Sequence, residues 1–372
     1  MKALVIGGTG FTGPYIINGL IDRGYEVTIM HRGVHETEDI PLEVEHIHGD
    51  PHWPEPIQEA LEGRFFDVIV STHGRLRYVA EAAKGHTERL ISIGGEAVFK
   101  GWLRVSNPHM YQNLGPSPVP VDEDSWLEDR GFDHFVDKML ETEDFLTESH
   151  KAGYYNATHF RYAMGYGPRH LAPAEWCIVR RILDGRKEFV LPNNGQVIVC
   201  KGFGENEAHG VLLALDKPDA SAGQIYNISD ETKLTNRQWV ELICRTMGYE
   251  FEFVDMPLSF VQPGHLCAYP PALMFPYHEV MDITKVQTQL GYRQIVPTEK
   301  AVEISVKWLL DHPPKPGRVE EQNLSDPFDY EEDDRVIRRL KQTWAQLWEE
   351  ALGARYDWRH PYPHPQKRGD LR

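Results

Sequence analysis

The chemistry of this chain starts with glycine spacing. Gly8, Gly10 and Gly13 satisfy G-x-G-x-x-G, and Gly7, Gly10 and Gly13 also satisfy G-x-x-G-x-x-G, within GGTGFTG at 7–13. Lacking Cβ atoms, such a loop turns tightly and lets its backbone, with Thr9, Phe11 and Thr12 between the glycines, approach a pyrophosphate. The segment that follows, PYIINGLIDRG, has helical periodicity. Its opening near Thr12 to Tyr15 offers free N–H groups and a positive dipole end to the same anion. A short apolar run from Ala3 to Ile6 precedes the loop and reads as a buried parallel strand. Strand, glycine turn and helix in that order are the context a dinucleotide requires.

Downstream elements refine the ligand. YEVTIM at 25–30 is a second strand, followed by His31 and Arg32. An NAD site usually places an acid here for the ribose 2′-hydroxyl. None is present, and Arg32 suits a 2′-phosphate, which favours NADP and leaves NAD open. A third strand, Val44 to His48, ends at Asp50, which is placed beside an adenine amine. Strands at DVIVS (67–71) and RLISI (89–93) alternate with helices at 57–62 and 76–83. This alternation predicts an α/β fold, a Rossmann-type doubly wound parallel sheet with right-handed crossovers. Thr72 and His73 follow the fourth strand, where cofactor contacts begin.

The totals narrow the partners. A chain of 372 residues with 41% apolar content can hold a nucleotide-binding domain and a smaller lobe. The balance of 39 basic against 56 acidic residues, −17 overall, repels phosphodiester backbones. A small molecule is therefore the expected partner, with no nucleic acid. No apolar run suggests a membrane span. Four cysteines without C-x-x-C argue against zinc and a disulfide framework and suit a reducing compartment. With a strand at the very start, a cytoplasmic location is expected. His46, His48 and His52 lack a carboxylate cluster at ligand spacing, so no metal is expected.

Further segments then form a recognisable order. EAVFKG at 96–101 resembles a "VYG" segment after strand five, PVPVDEDSW at 118–126 the stretch before a catalytic helix, and RYAMGYGPR at 161–169 an "R…YGP" motif. QIYNISDETKLT at 224–235 and DITKVQTQLGY at 282–292 continue the series. As a set, with GGTGFTG and Gly49-Asp50, they resemble the extended short-chain dehydrogenase/reductase family, which includes the NAD(P)-dependent epimerases and dehydratases. The likeness runs to about residue 312. It implies a Rossmann domain over 1–164 with 201–228 returning to the sheet, and a substrate lobe from 165–200 and 229–312. Residues 313–372 lie outside it as linker, amphipathic helix and arm. It also places Tyr162 with the cofactor.

That family's chemistry usually rests on Ser, Tyr and Lys, the last two one helical turn apart. On the matching helix, near 132–149, Lys138 takes the Lys position, and His134 stands four residues earlier where Tyr is usual. The Ser position, counted back from Val98, falls on Gly95, with Ser92 three residues earlier and Glu96 next to it. Three readings stay open: His134 replaces the phenol as proton donor and acceptor, Lys138 handles the proton with cofactor hydroxyls, or the site is silent. The resemblance implies an oxidoreductase moving a hydride at a hydroxyl or carbonyl carbon. Alternatives are a redox-neutral epimerase, dehydratase or lyase, and a non-catalytic NADP-sensing binding protein.

Substrate features depart from the nucleotide-sugar members. Met164 replaces their Asn, and Asn206-Glu207 replace an acidic pair. Lys201 stands where they carry an Arg. The lobe instead carries Trp102, His109, Tyr111, Tyr166, Trp176, His265, Tyr269 and Phe275, with Arg169 after the turn, which suits an apolar or aromatic substrate. In the tail, Val336, Leu340, Trp344, Leu347, Trp348 and Ala351 form one helical stripe, expected to pack on the body or on a second subunit. A homodimer is the expected assembly.

Overall fold

The central sheet is built by strict alternation. In a computed structural model, which describes residues 1–34, 37–102, 118–257, 277–351 and 367–368, strand β1 (Lys2–Ile6) sends Ala3 and Val5 to one face and Leu4 and Ile6 to the other. Both faces are buried, as a parallel sheet requires. Strands β2 (Glu26–His31), β3 (Glu45–His48), β4 (Val68–Ser71), β5 (Arg89–Gly95) and β6 (Asn156–Tyr162) follow. Three short strands come next, β7 (Met164–Tyr166), β8 (Glu188–Pro192) and β9 (Ile198–Val199), then β10 (Lys201–Phe203) and β11 (Gln224–Ile228). The main sheet has seven strands in the order β11-β6-β5-β4-β1-β2-β3, every pair parallel. That order reverses between β1 and β4, the switch point where such sheets bind ligands.

Helices cover both faces. On one, α1 (Gly13–Asp22) packs its Ile16, Ile17 and Leu20 with Ala208 and Val211, which belong to a later helix. On the other lie α2 (Pro54–Leu61), α3 (Leu76–Ala82) and α4 (His134–Lys151), which bury Ile57, Val79 and Leu146 against Leu4, Ile69 and Leu90. The start of α4 is set by Asp133, whose carboxylate accepts the N–H groups of Phe135 and Val136 as an N-cap.

The second lobe stands over the strand ends. It uses α5 (Trp176–Leu183), β12 (Leu234–Thr235) and α7 (Asn236–Thr246), while α6 (Gly204–Asp216) carries Ala208 back to the sheet. A capping box between Thr235 and Gln238 opens α7. Strand β13 (Glu252–Met256), α8 (Thr284–Leu290), α9 (Thr298–Asp311), α10 (Val319–Gln322) and α11 (Tyr330–Ala351) complete the chain. Trp176, Phe189, Trp239, Val302 and Leu309 share this lobe's core.

The tail helix departs from expectation in one respect. Only its first half packs: Ile337 is buried with Val190, Val254 and Met256, flanked by Val336 and Leu340. Trp344 donates its indole N–H to the Asp255 carbonyl at 3.1 Å. Beyond that the stripe runs off the body, and Leu347 and Trp348 are 49% and 70% exposed. A buried ion pair holds the linker instead, Arg181 to Asp326 at 2.6 Å. None of the helices described is long and apolar enough to cross a membrane.

Candidate functional site

The glycine loop has the geometry of a phosphate cradle. Gly7 has φ +87°, and a Cβ on it would sit 2.4 Å from the His73 Cβ. A Cβ on Gly13 would lie 2.0 Å from the Gly8 carbonyl oxygen, so the first helical turn can touch the loop only without a side chain. At Gly10 the position is different: a Cβ would meet no atom nearer than the Gly7 oxygen at 4.0 Å. The loop therefore keeps open space above Gly10, bounded by the first N–H groups of α1. The Thr72 hydroxyl fixes the loop from below by donating to the carbonyls of Ile6 at 3.1 Å and Gly7 at 3.0 Å.

This space opens into a cleft of about 1040 Å³. Gly7, Thr9, Gly10, Phe11 and Thr12 line it with Thr72 and His73, and His31 and Arg32 bound one end. Arg169 also lines the cleft, paired with Asp39 and lying over the Tyr15 ring at 5.6 Å. Burial lowers the His73 pKa, which keeps that ring neutral beside the loop. Asp50 accepts from His52 at 2.7 Å, a bond that holds its carboxylate below the usual range. Tyr162 is buried under the loop next to Thr12 and Glu207, and burial raises its phenol pKa. The cradle thus fits a dinucleotide's pyrophosphate, with Arg32 exposed at the end where a ribose phosphate would sit.

The helix expected to carry the catalytic groups looks different. His134 and Lys138 share a face at the start of α4, and both are exposed. The Lys138 ammonium is held by Glu141 at 2.7 Å. Met139, the next residue, faces the end of β5, its Cε 3.8 Å from where a Gly95 Cβ would stand. It packs with Val98, Val136 and Leu140. The inward face of α4 follows Val136, Leu140, Glu143 and Leu146, and Lys138 flanks that stripe. Apolar periodicity carries this signal in the sequence. Neither His134 nor Lys138 lines the cleft, nor do Gly95 and Glu96.

Ser92 does not replace the serine absent at Gly95. It is 2% exposed, and its hydroxyl is committed to His159 Nδ1 at 2.8 Å. The His159 ring in turn faces Glu143, which holds Arg161 through bonds of 2.8 and 2.7 Å. This serine, histidine and carboxylate lie in the core between α4 and the sheet, sealed from any substrate. Glu96 lies beside the Cys200 thiol at 3.7 Å.

Several residues assigned to substrate belong to the core. Tyr166 is 1% exposed and donates its hydroxyl to Asp230 at 2.7 Å. Trp176 donates its indole N–H to Glu321 at 3.0 Å, and Trp102 packs on Phe99. Lys201 is buried, with Nζ 3.2 Å from Met164 Sδ and 4.9 Å above the Trp239 ring. Large apolar rings in a second lobe this small are needed to build it, and that outweighs a substrate role for them. Tyr111, His109, His265, Tyr269 and Phe275 lie outside the described residues. Two features were missed in the sequence, the Arg169–Asp39 pair and the buried Glu207, because both depend on contacts between distant segments.

Comparison with known proteins agrees with the cradle. Residues 7–152 match the family model described as NAD(P)H-binding. The protein YbjS of Escherichia coli is 27% identical over 139 residues, 33% of this chain, and the match spans 41% of YbjS. The chloroplast stem-loop binding protein of 41 kDa b of Arabidopsis thaliana is 26% identical over 78% of this chain and 75% of its own. The decarboxylating sterol-4-alpha-carboxylate 3-dehydrogenase of Mus musculus is 24% identical over 82% of this chain and 90% of its own. Among solved structures, the UDP-glucose 4-epimerase of Thermotoga maritima superposes with a TM-score of 0.66 at 17% identity, over 84% of this chain and 99% of that one. Residues 7–152 thus carry an NAD(P)H-binding domain, and the chain shares the Rossmann-type fold of the solved epimerase.

Proposed function

We propose that this protein is an NADP-dependent oxidoreductase acting on a hydroxyl or carbonyl carbon of a small organic substrate. The observation that carries the reading is the open space above Gly10, shaped by glycines whose side chains would otherwise collide, at the head of α1. Gly7 to Gly13 would hold the pyrophosphate, Thr72 and His73 would flank it, and Arg32 would take the 2′-phosphate, with NAD as the weaker ligand. Bound there, the nicotinamide supplies or accepts a hydride.

Proton handling then falls to His134. An imidazole can both donate and accept a proton, and because His134 is exposed outside the cleft, this role requires the substrate to reach that face of α4. Lys138 is engaged with Glu141, so its role in orienting a ribose requires that pair to open. A substrate that is apolar or aromatic remains the preferred class, since Met164 stands where a nucleotide sugar would want an amide. Dehydrogenation of the kind named for the mouse relative fits this reading.

A second reading has its own support. Met139 against Gly95 puts a thioether where this family's polar machinery usually converges, and the Arabidopsis relative is named for stem-loop binding. The chain would then bind the dinucleotide without turning it over. Assays of hydride transfer at 340 nm with a panel of aromatic and alicyclic ketones and alcohols, run beside calorimetric titration of NADPH, separate the two. Binding with turnover that His134→Ala abolishes supports the first reading. Binding without turnover on any member supports the second.

A further inference from the structure

Two parallel strands bring three imidazoles to one sheet edge. On β3, the edge strand, His46 and His48 alternate onto the same face. In the β2–β3 register Ile29 pairs with His46 and His31 pairs with His48. His31 therefore joins them on that face. The His31 ring centroid is 5.0 Å from each of the other two, and those two are 6.5 Å apart, with every pair close to perpendicular. One ring nitrogen from each residue lies within 4.8 Å of the others. His46 and His48 alone do not make a site, and their spacing does not reveal that His31 completes it.

We propose that His31, His46 and His48 form a binding site for a divalent transition cation of the zinc class. His31 Nε2 and His46 Nδ1 are 3.0 Å apart. In a tetrahedral site with Zn–N bonds of about 2.0–2.1 Å, neighbouring ligand nitrogens stand about 3.3 Å apart. One edge of the coordination polyhedron is thus nearly formed, and rotation of the exposed His48 ring supplies the third ligand. His31 is 4% exposed and anchored in the sheet, whereas His46 and His48 face solvent. Water can take the fourth position from the open side. An all-imidazole set selects zinc, nickel, cobalt or copper over magnesium and calcium, which need oxygen ligands.

The proton balance is defined. The Gly33 N–H donates to His31 Nδ1 at 3.2 Å, so in the neutral ring the hydrogen sits on Nε2, directed at His46 Nδ1. A cation bound at His31 Nε2 displaces that proton to Nδ1, and the long bond from Gly33 is given up. His31 also lines the dinucleotide cleft beside Arg32, but the cation site is argued from the three rings alone and stands whichever way the dinucleotide reading falls.

The test uses the untagged full-length chain, stripped with chelator. Zinc is titrated by calorimetry, and cobalt is followed by its visible absorption, which reports imidazole coordination. The expected result is one ion per chain for the parent protein and loss of that binding event in His46→Ala, His48→Ala and the double variant. His86→Ala, altered at a half-buried histidine outside the cluster, should keep it. Both substituted rings are exposed, and thermal melts followed by circular dichroism check that each variant is folded. A parent protein that takes up no zinc overturns the proposal, as does a folded double variant that binds zinc as the parent does.

Discussion

Lys138 and Glu141 are locked together on the flank of α4, Nζ to Oε2 at 2.7 Å, while Met139 turns toward Gly95 at the end of β5. Glycine, a thioether and a self-contained ion pair stand here, where the resemblance implies polar groups. If the protein turns the dinucleotide over, fewer groups are left for proton transfer, and His134 is the one proposed for it.

That assignment gives the first prediction. His134→Ala should lower kcat by about 10²–10⁴-fold, the usual cost of removing a general acid–base group, and leave NADPH affinity unchanged. Lys138→Met should affect kcat far less, because its ammonium is already spent on Glu141. Steady-state kinetics beside calorimetry read both. Equal losses from the two substitutions would restore the paired reading of the helix.

Glycine substitutions separate folding from binding. Gly10→Ala adds a methyl that meets nothing within normal contact, so the melting temperature should hold while dinucleotide binding is lost. Gly13→Ala drives a methyl into the Gly8 backbone, and overpacking of that kind costs about 1–3 kcal/mol. It should lower the melting temperature as well. Thermal melts with and without NADPH distinguish the two outcomes.

Arg32 decides the choice of nucleotide. Arg32→Ala should weaken NADPH by about tenfold or more, since hydrogen bonds to charged groups contribute about 1.5–3 kcal/mol. NADH binding should be little changed. Similar losses for both nucleotides would show that the guanidinium does not meet a 2′-phosphate.

Stability should fall with acid for a stated reason. Burial pushes the His159 pKa down from 6.5 to about 4. A histidine kept neutral by folding contributes stability that is present above pH 6.5 and lost as pH falls toward 4, because the unfolded chain then binds the extra proton. A shift of that size corresponds to on the order of 3 kcal/mol. His159→Gln should flatten the melting curve against pH across this window. Ser92→Ala should leave activity intact and cost about 1 kcal/mol for the lost bond to His159.

Local signals made the sheet legible. Ala3 to Ile6, YEVTIM and DVIVS are short apolar runs bounded by turns, and the glycines at 7–13 mark the only place where the first strand can hand over to its helix. The site was legible as far as the loop, because a pyrophosphate is bound by consecutive backbone. The orientation of α4 was not, since one residue of register separates Lys138 from Met139, and only the buried stripe through Val136, Leu140 and Glu143 shows which of them faces β5. The aromatic residues misled for a related reason. Trp176 and Tyr166 look the same in sequence whether they face a substrate or Glu321 and Asp230. His31 joined His46 and His48 through strand register, which no spacing along the chain encodes.

Calorimetric titration of the purified protein with NADPH and NADH asks whether the glycine cradle holds a dinucleotide at all. One site per chain, tighter for NADPH and absent in folded Gly10→Ala, is the expected result. A folded parent protein that binds neither nucleotide would contradict it.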